Sequence, residues 1–151
     1  IEAIAFLDNV RPEQLTAYSR GGAIAFAALA RSEHSPVVVF VAPAWKRGWV
    51  SGLSPNYSNG TIIHGTMDGV VPLRQSFELS QMTGMPLYVF SSETHVSILK
   101  GKNSPTSGIL VSPESLRAGI EQLPEWEGQS PQDDINNQHK IAMEILNETT
   151  S

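Results

Sequence analysis

The chain has no cysteine among its 151 residues, which excludes disulfides, zinc–thiolate centres, thiol nucleophiles and cysteine-held iron–sulfur clusters. It also lacks a basic excess. Fifteen acidic residues against ten basic ones leave a net charge of −5, so no positive surface is expected to grip phosphate backbones or anionic lipid, and nucleic acid is not expected as a partner. No stretch approaches the roughly 20 apolar residues that cross a bilayer. The amino terminus carries no basic segment followed by an apolar core and a cleavage site, so no membrane span and a cytoplasmic location are expected. A phosphate-cradling loop is missing as well, since Arg20-Gly21-Gly22 has neither the Walker lysine nor the dinucleotide spacing. What remains, 40% hydrophobic against 17% charged residues, is the balance of a soluble globule rather than of a disordered or fibrous chain. The length suits one domain with its own core.

Patterning along the chain alternates between two periods. Ile1, Ile4, Ala5, Leu7 and Val10 recur at helical spacing until Arg11-Pro12 stops them. Strands are expected at Gln14–Tyr18, Val37–Ala42, Thr61–His64 and Leu87–Ser91, with helices at Gly22–Arg31 and at Leu73–Met82, the latter ended by Gly84. Near-continuous apolar strands separated by helices predict a parallel sheet covered on both faces, an α/β fold. Gly108–Val111 is a further candidate strand, and Pro113–Leu123 a further helix. The polar stretch from Gly128 to Asp134 reads as a linker, dividing a core of residues 1–127 from a terminal helix within residues 135–151. That amphipathic helix, Ile135 to Asn147, is expected to pack on the domain or on a partner.

Three places can carry chemistry. In Ala17-Tyr18-Ser19-Arg20-Gly21-Gly22 a serine sits where a strand becomes a helix. A sharp turn there lifts the hydroxyl above the strand ends, and the N–H of Arg20, the next residue, points at an oxyanion forming on a bound acyl group. The bland alternative is a serine capping the helix. Asp68 lies in His64-Gly65-Thr66-Met67-Asp68-Gly69-Val70-Val71-Pro72, directly after the third strand, where it serves either as an orienting carboxylate or as a turn cap. His95 follows the fourth strand in Glu93-Thr94-His95. All three fall at the carboxyl ends of different strands, where loops of a parallel sheet share one crevice.

In chain order Ser19, Asp68, His95, these motifs resemble the α/β-hydrolase family, in particular its small esterase and dienelactone-hydrolase-like members. The resemblance covers about Gln14 to Leu99, and its most specific part is the H-G-x-x-D-x-x-V-P segment from His64 to Pro72. It implies a three-layer parallel sheet of the α/β-hydrolase type. It also implies a serine hydrolase that cleaves small or medium carboxylic esters through an acyl-serine intermediate and without a cofactor. Ser19 would be the nucleophile, His95 the general base and then acid, and Asp68 the group that holds the imidazole's tautomer.

Two departures qualify the likeness. Ala17 stands where the motif begins with glycine, and only about eighteen residues precede Ser19. The family's strands and oxyanion loop ahead of the elbow are therefore absent, so the fold is expected to be truncated on its amino-terminal side. The chain begins at Ile1 rather than Met, and an upstream segment is expected. Without it the open side of Gln14–Tyr18 is a template for association, and a second copy or an upstream segment is expected to cover it. The rival reading is a catalytically weak or inactive module of the same fold. Trp45 and Arg47, with Trp49, lie where family members place substrate-contacting loops, against the simpler reading of surface packing. His64 is read as structural, His34 and His139 as solvated, and Glu93 as the substitute acid. Asp133, Asp134 and Glu127 have no histidine at helical spacing to complete a ligand set, so no metal site is expected.

Overall fold

Strand β2, Val37–Val41, is the sequence VVVFV, a run of β-branched and aromatic residues that fits only a pleated, buried position. In the computed structural model, which describes residues 9–11, 13–29, 36–45, 59–100, 107–126 and 130–150, it lies second in a five-stranded sheet. β1 (Gln14–Tyr18), β2, β3 (Gly60–Gly65) and β4 (Leu87–Phe90) run parallel in sequence order. The expected opening helix falls mostly outside the described residues, as do Arg47 and Trp49. The fifth strand, β5 (Ile109–Leu110), corrects the all-parallel expectation: it pairs antiparallel with β4. A four-residue helix, α3 (Ser97–Lys100), lies between β4 and β5.

Helix α1 (Arg20–Leu29) begins two residues before the expected Gly22, because the turn at Ser19 feeds straight into it. α2 (Leu73–Thr83) ends at Gly84, whose φ of 79° and N–H bond to the Ser80 carbonyl close the helix. α4 (Pro113–Gln122) is capped by the Ser112 hydroxyl, which accepts from the Ser115 N–H, and has proline in its first turn. One sheet face, with Ala17, Phe40, Ile62 and Val89, meets Phe26, Phe77 and Leu146 in the main core. The other face carries Val41 and Ile63, against which Ile98 of α3 packs. Among the described residues α1, α2 and α4 contribute to the core of the first face, and only the single-turn α3 packs on the second. Phe77 is fully buried, and its truncation to alanine is expected to cost about 3–5 kcal/mol.

The carboxyl-terminal helix α5 (Gln132–Thr150) is longer than expected. Gln132 to Asp134, read from sequence as part of a linker, form its first turn, where Asp133 and Asp134 complement the helix dipole. It packs on the domain: Ala142 and Leu146 join the core that contains Leu73 and Phe77. Neither α5 nor β5 covers the open side of β1. β1 is the first strand of the sheet order, and among the described residues it is paired with β2 alone.

Candidate active site

Ser19 occupies the left-handed region, with φ of 55°, a conformation that costs a non-glycine residue about 1–3 kcal/mol. Three backbone bonds offset it: the Ser19 N–H donates to the Val41 carbonyl at 3.0 Å, and its own carbonyl accepts from Gly22 and Ala44, each at 2.9 Å. The small residue that this turn requires is Gly22 rather than Gly21. A β-carbon on Gly22 would lie 2.6 Å from the Pro43 side chain, whereas one on Gly21 would meet nothing. Ala42 (φ 45°) and Ser92 (φ 66°) follow β2 and β4 in the same way. Three of the four parallel strands thus stop in a left-handed residue that turns the chain at the edge of the crevice.

After β3 the chain bends through Thr66, whose N–H donates to the Phe90 carbonyl at 3.0 Å, and Met67, whose N–H donates to Glu93 at 2.9 Å. Asp68 is fully buried. Its Oδ1 accepts the N–H groups of Val70 and Val71, both at 2.8 Å. Its Oδ2 lies 2.7 Å from Nδ1 of His95. Nε2 of His95 lies 3.0 Å from the Ser19 hydroxyl oxygen. An ionised carboxylate can only accept, so Nδ1 of His95 carries hydrogen and Nε2 is left to receive one from Ser19. Burial pushes the Asp68 carboxyl up, but the N–H groups of His64 and His95 that face it, the electrostatic pull of the His64 ring and the Val71 N–H outweigh it. The group is held well below the usual carboxylate range.

The remaining sequence candidates fall into place around this row. The Glu93 carboxylate accepts from the Ser97 hydroxyl at 2.5 Å, an attachment on α3 rather than on His95. The Trp45 indole N–H donates to the Gln75 carbonyl at 2.5 Å, with the ring packed against the main core. Arg20 opens α1 immediately after the serine. His64 is fully buried. His139, expected to be solvated, is half-buried instead, with Nδ1 2.6 Å from the Thr66 hydroxyl. Thr66 Oγ1 also accepts the N–H of Ser92 at 2.8 Å, so that one hydroxyl ties α5 to the loop after β4.

Two residues at this site escape sequence reasoning. Tyr18 donates its hydroxyl to the His95 carbonyl at 2.5 Å, and its ring centroid lies 4.9 Å from the imidazole. Burial and the charge of Asp68 both raise its pKa, so the donor stays protonated. Gln138 of α5 is fully buried. Its amide N–H donates to the carbonyls of Thr66 at 2.8 Å and Asp68 at 3.1 Å, while its oxygen accepts from the Leu73 N–H at 2.9 Å. Ser130 N–H adds a bond to the Gly69 carbonyl at 2.9 Å. The signal for Gln138 is its place on the apolar stripe of Ile135, Ala142 and Leu146, where an unpartnered amide is costly.

No family model and no curated protein matches the sequence. Among solved structures, the chain is similar to an alpha-beta serine hydrolase homologue from Coxiella burnetii, with 19% identity and a TM-score of 0.49. The match covers 62% of this chain and 47% of that one, so the chain spans about half the length of the structure it matches. Among the described residues no group of histidine and acidic side chains could hold a metal ion, and no helix is long and apolar enough to cross a membrane.

Proposed function

We propose that the chain is a serine hydrolase that cleaves small or medium carboxylic esters through an acyl-serine intermediate. The observation that carries this reading is the continuous hydrogen-bonded row Ser19–His95–Asp68, with contacts of 3.0 and 2.7 Å. In the first half-reaction His95 Nε2 takes the Ser19 proton as Oγ attacks the ester carbonyl. The oxyanion faces the Arg20 N–H, and the leaving alkoxide departs with the proton from His95. Water then repeats the sequence on the acyl-serine and releases the acid. Asp68 stays ionised throughout, balancing the imidazolium and fixing its Nδ1–H. Trp45 and Arg47, on the segment after β2, are assigned to substrate contact.

The reading of a weak or inactive module is favoured by one feature: among the described residues the nucleophile strand β1 is the sheet edge, so no preceding strand brings in a loop with a second oxyanion donor. Such a donor is commonly worth about 3–4 kcal/mol. A fluorophosphonate probe and p-nitrophenyl acetate turnover test both readings. Labelling of Ser19 alone, lost in His95→Ala, with measurable turnover supports the hydrolase. Labelling without turnover supports the module, and labelling at other serines, or labelling unchanged in His95→Ala, sinks the triad.

A further inference from the structure

His64 is a fully buried imidazole that the proposed reaction does not use. Its Nε2 faces two acceptors, the Val71 carbonyl at 3.0 Å and Asp68 Oδ2 at 3.2 Å, so that nitrogen carries hydrogen. Its Nδ1 lies 2.6 Å from the hydroxyl oxygen of Ser76 on α2. A neutral ring with hydrogen on Nε2 accepts the Ser76 proton at Nδ1 and leaves no polar atom of either residue wanting. A charged ring would turn Nδ1 into a donor and leave the Ser76 proton without that acceptor.

Asp68 then accepts three N–H groups, Val70 and Val71 on Oδ1 and His95 on Oδ2, and the Nε2–H of His64, bonded to the Val71 carbonyl, lies 3.2 Å from Oδ2. We propose that His64 is a positioning residue that shares the Asp68 Oδ2 with His95 and thereby lowers the basicity of His95. The inference rests on the triad reading above. A carboxylate that already faces the His64 N–H at 3.2 Å has less negative potential to offer the His95 imidazolium, so His95 takes up a proton less readily than beside an unshared Asp68. The other titratable or charged groups around His95 act differently. Tyr18 of β1 bonds the His95 carbonyl, and Glu93 is engaged by Ser97. His139 of α5 reaches Thr66 rather than Asp68, and Arg20 follows Ser19 on α1.

The test is an NMR titration of the His95 ring in the full chain, as wild type, His64→Gln and His64→Asn. Glutamine carries an amide N–H to about where Nε2 stood; asparagine is a bond shorter, reaching Ser76 but not Asp68. The His95 midpoint is expected to rise by about one pH unit in His64→Asn and to return to the wild-type value in His64→Gln. Loss of packing alone would lower stability without moving the midpoint. Equal midpoints in wild type and His64→Asn overturn the proposal. Should His64→Asn not fold, nitrogen shifts of the wild-type rings decide: His64 is expected neutral, with hydrogen on Nε2, through the pH range in which His95 titrates. Hydrogen on Nδ1 alone, or titration in step with His95, overturns it. A midpoint indifferent to Asp68→Asn overturns the triad itself, whereas one that responds to Asp68→Asn and not to His64→Asn overturns only the role of His64.

Discussion

The backbone of Gly65 passes so close to Glu93 that a β-carbon added to it would lie 2.2 Å from the Glu93 carbonyl oxygen. That oxygen is the acceptor for Met67 N–H, and His95 lies two residues further on. Gly65→Ala therefore has to push apart the two loops that carry Asp68 and His95. Turnover of p-nitrophenyl acetate is expected to fall at least tenfold, mainly in kcat, because small displacements of reacting groups are costly. Unchanged kcat would show that the loops tolerate the separation.

Asp68 and Glu93 are separated by their attachments. Asp68→Asn leaves an amide that favours the wrong His95 tautomer, and kcat is expected to drop by roughly 10⁴, as in serine proteases. Glu93→Gln keeps a carbonyl oxygen for the Ser97 hydroxyl and is expected to remain within about twofold of wild type. Steady-state kinetics with p-nitrophenyl acetate reverse the assignment if the two losses come out the other way round.

The acid response follows from the same carboxylate. Folding holds the Asp68 pKa below its unfolded value of 3.8, so its contribution to stability is complete above that value and is lost as pH falls toward the folded one. Urea denaturation of wild type and Asp68→Asn is expected to give a difference that shrinks as pH falls below about 4. A difference that holds down to pH 3 would contradict the low pKa.

Gln138→Leu preserves shape on the apolar stripe but leaves the Leu73 N–H and the Thr66 and Asp68 carbonyls without this partner. Each buried group left unsatisfied costs about 1–3 kcal/mol, and thermal melting is expected to register a loss of about 3 kcal/mol or more. A variant as stable as the wild type would mean that water or a neighbouring group takes over all three bonds.

The open side of β1 makes an association experiment informative. Among the described residues β1 is paired on one side only, and its outward donors and acceptors are a template for another strand, so the chain is expected to self-associate at micromolar concentration. Analytical ultracentrifugation that finds only monomer would count against pairing through this edge.

Much of the sheet is legible because its strands are short apolar runs bounded by glycine, proline and polar residues, and Gly84 marks the end of α2 as its position suggests. The direction of β5 is not legible, because a two-residue strand carries no periodicity that tells the two directions apart. Ser19, Asp68 and His95 can be nominated from their places at strand ends, but their distances depend on the left-handed turns at Ser19, Ala42 and Ser92. The turn at Ser19 is signalled by the glycines that follow it, whereas the identities of Ala42 and Ser92 do not show that each takes a left-handed conformation. The contacts of Tyr18 and Gln138 join residues 77 and 70 positions apart, beyond any window in which a pattern repeats. The first turn of α5 was hidden by its composition, since Gln132-Asp133-Asp134 suits a linker and a helix start equally well.

The bonds from Gln138 also set an order in time. Neighbours in the sheet are neighbours in sequence, so each strand can join its predecessor as soon as it is available, with modest loop-closure entropy. The loop that carries Asp68 differs: the amide that holds its carbonyls arrives only with the helix that follows all five strands. During synthesis or refolding the five described strands can therefore pair while the acid is still loosely held, and the proposed site is ordered only once α5 docks.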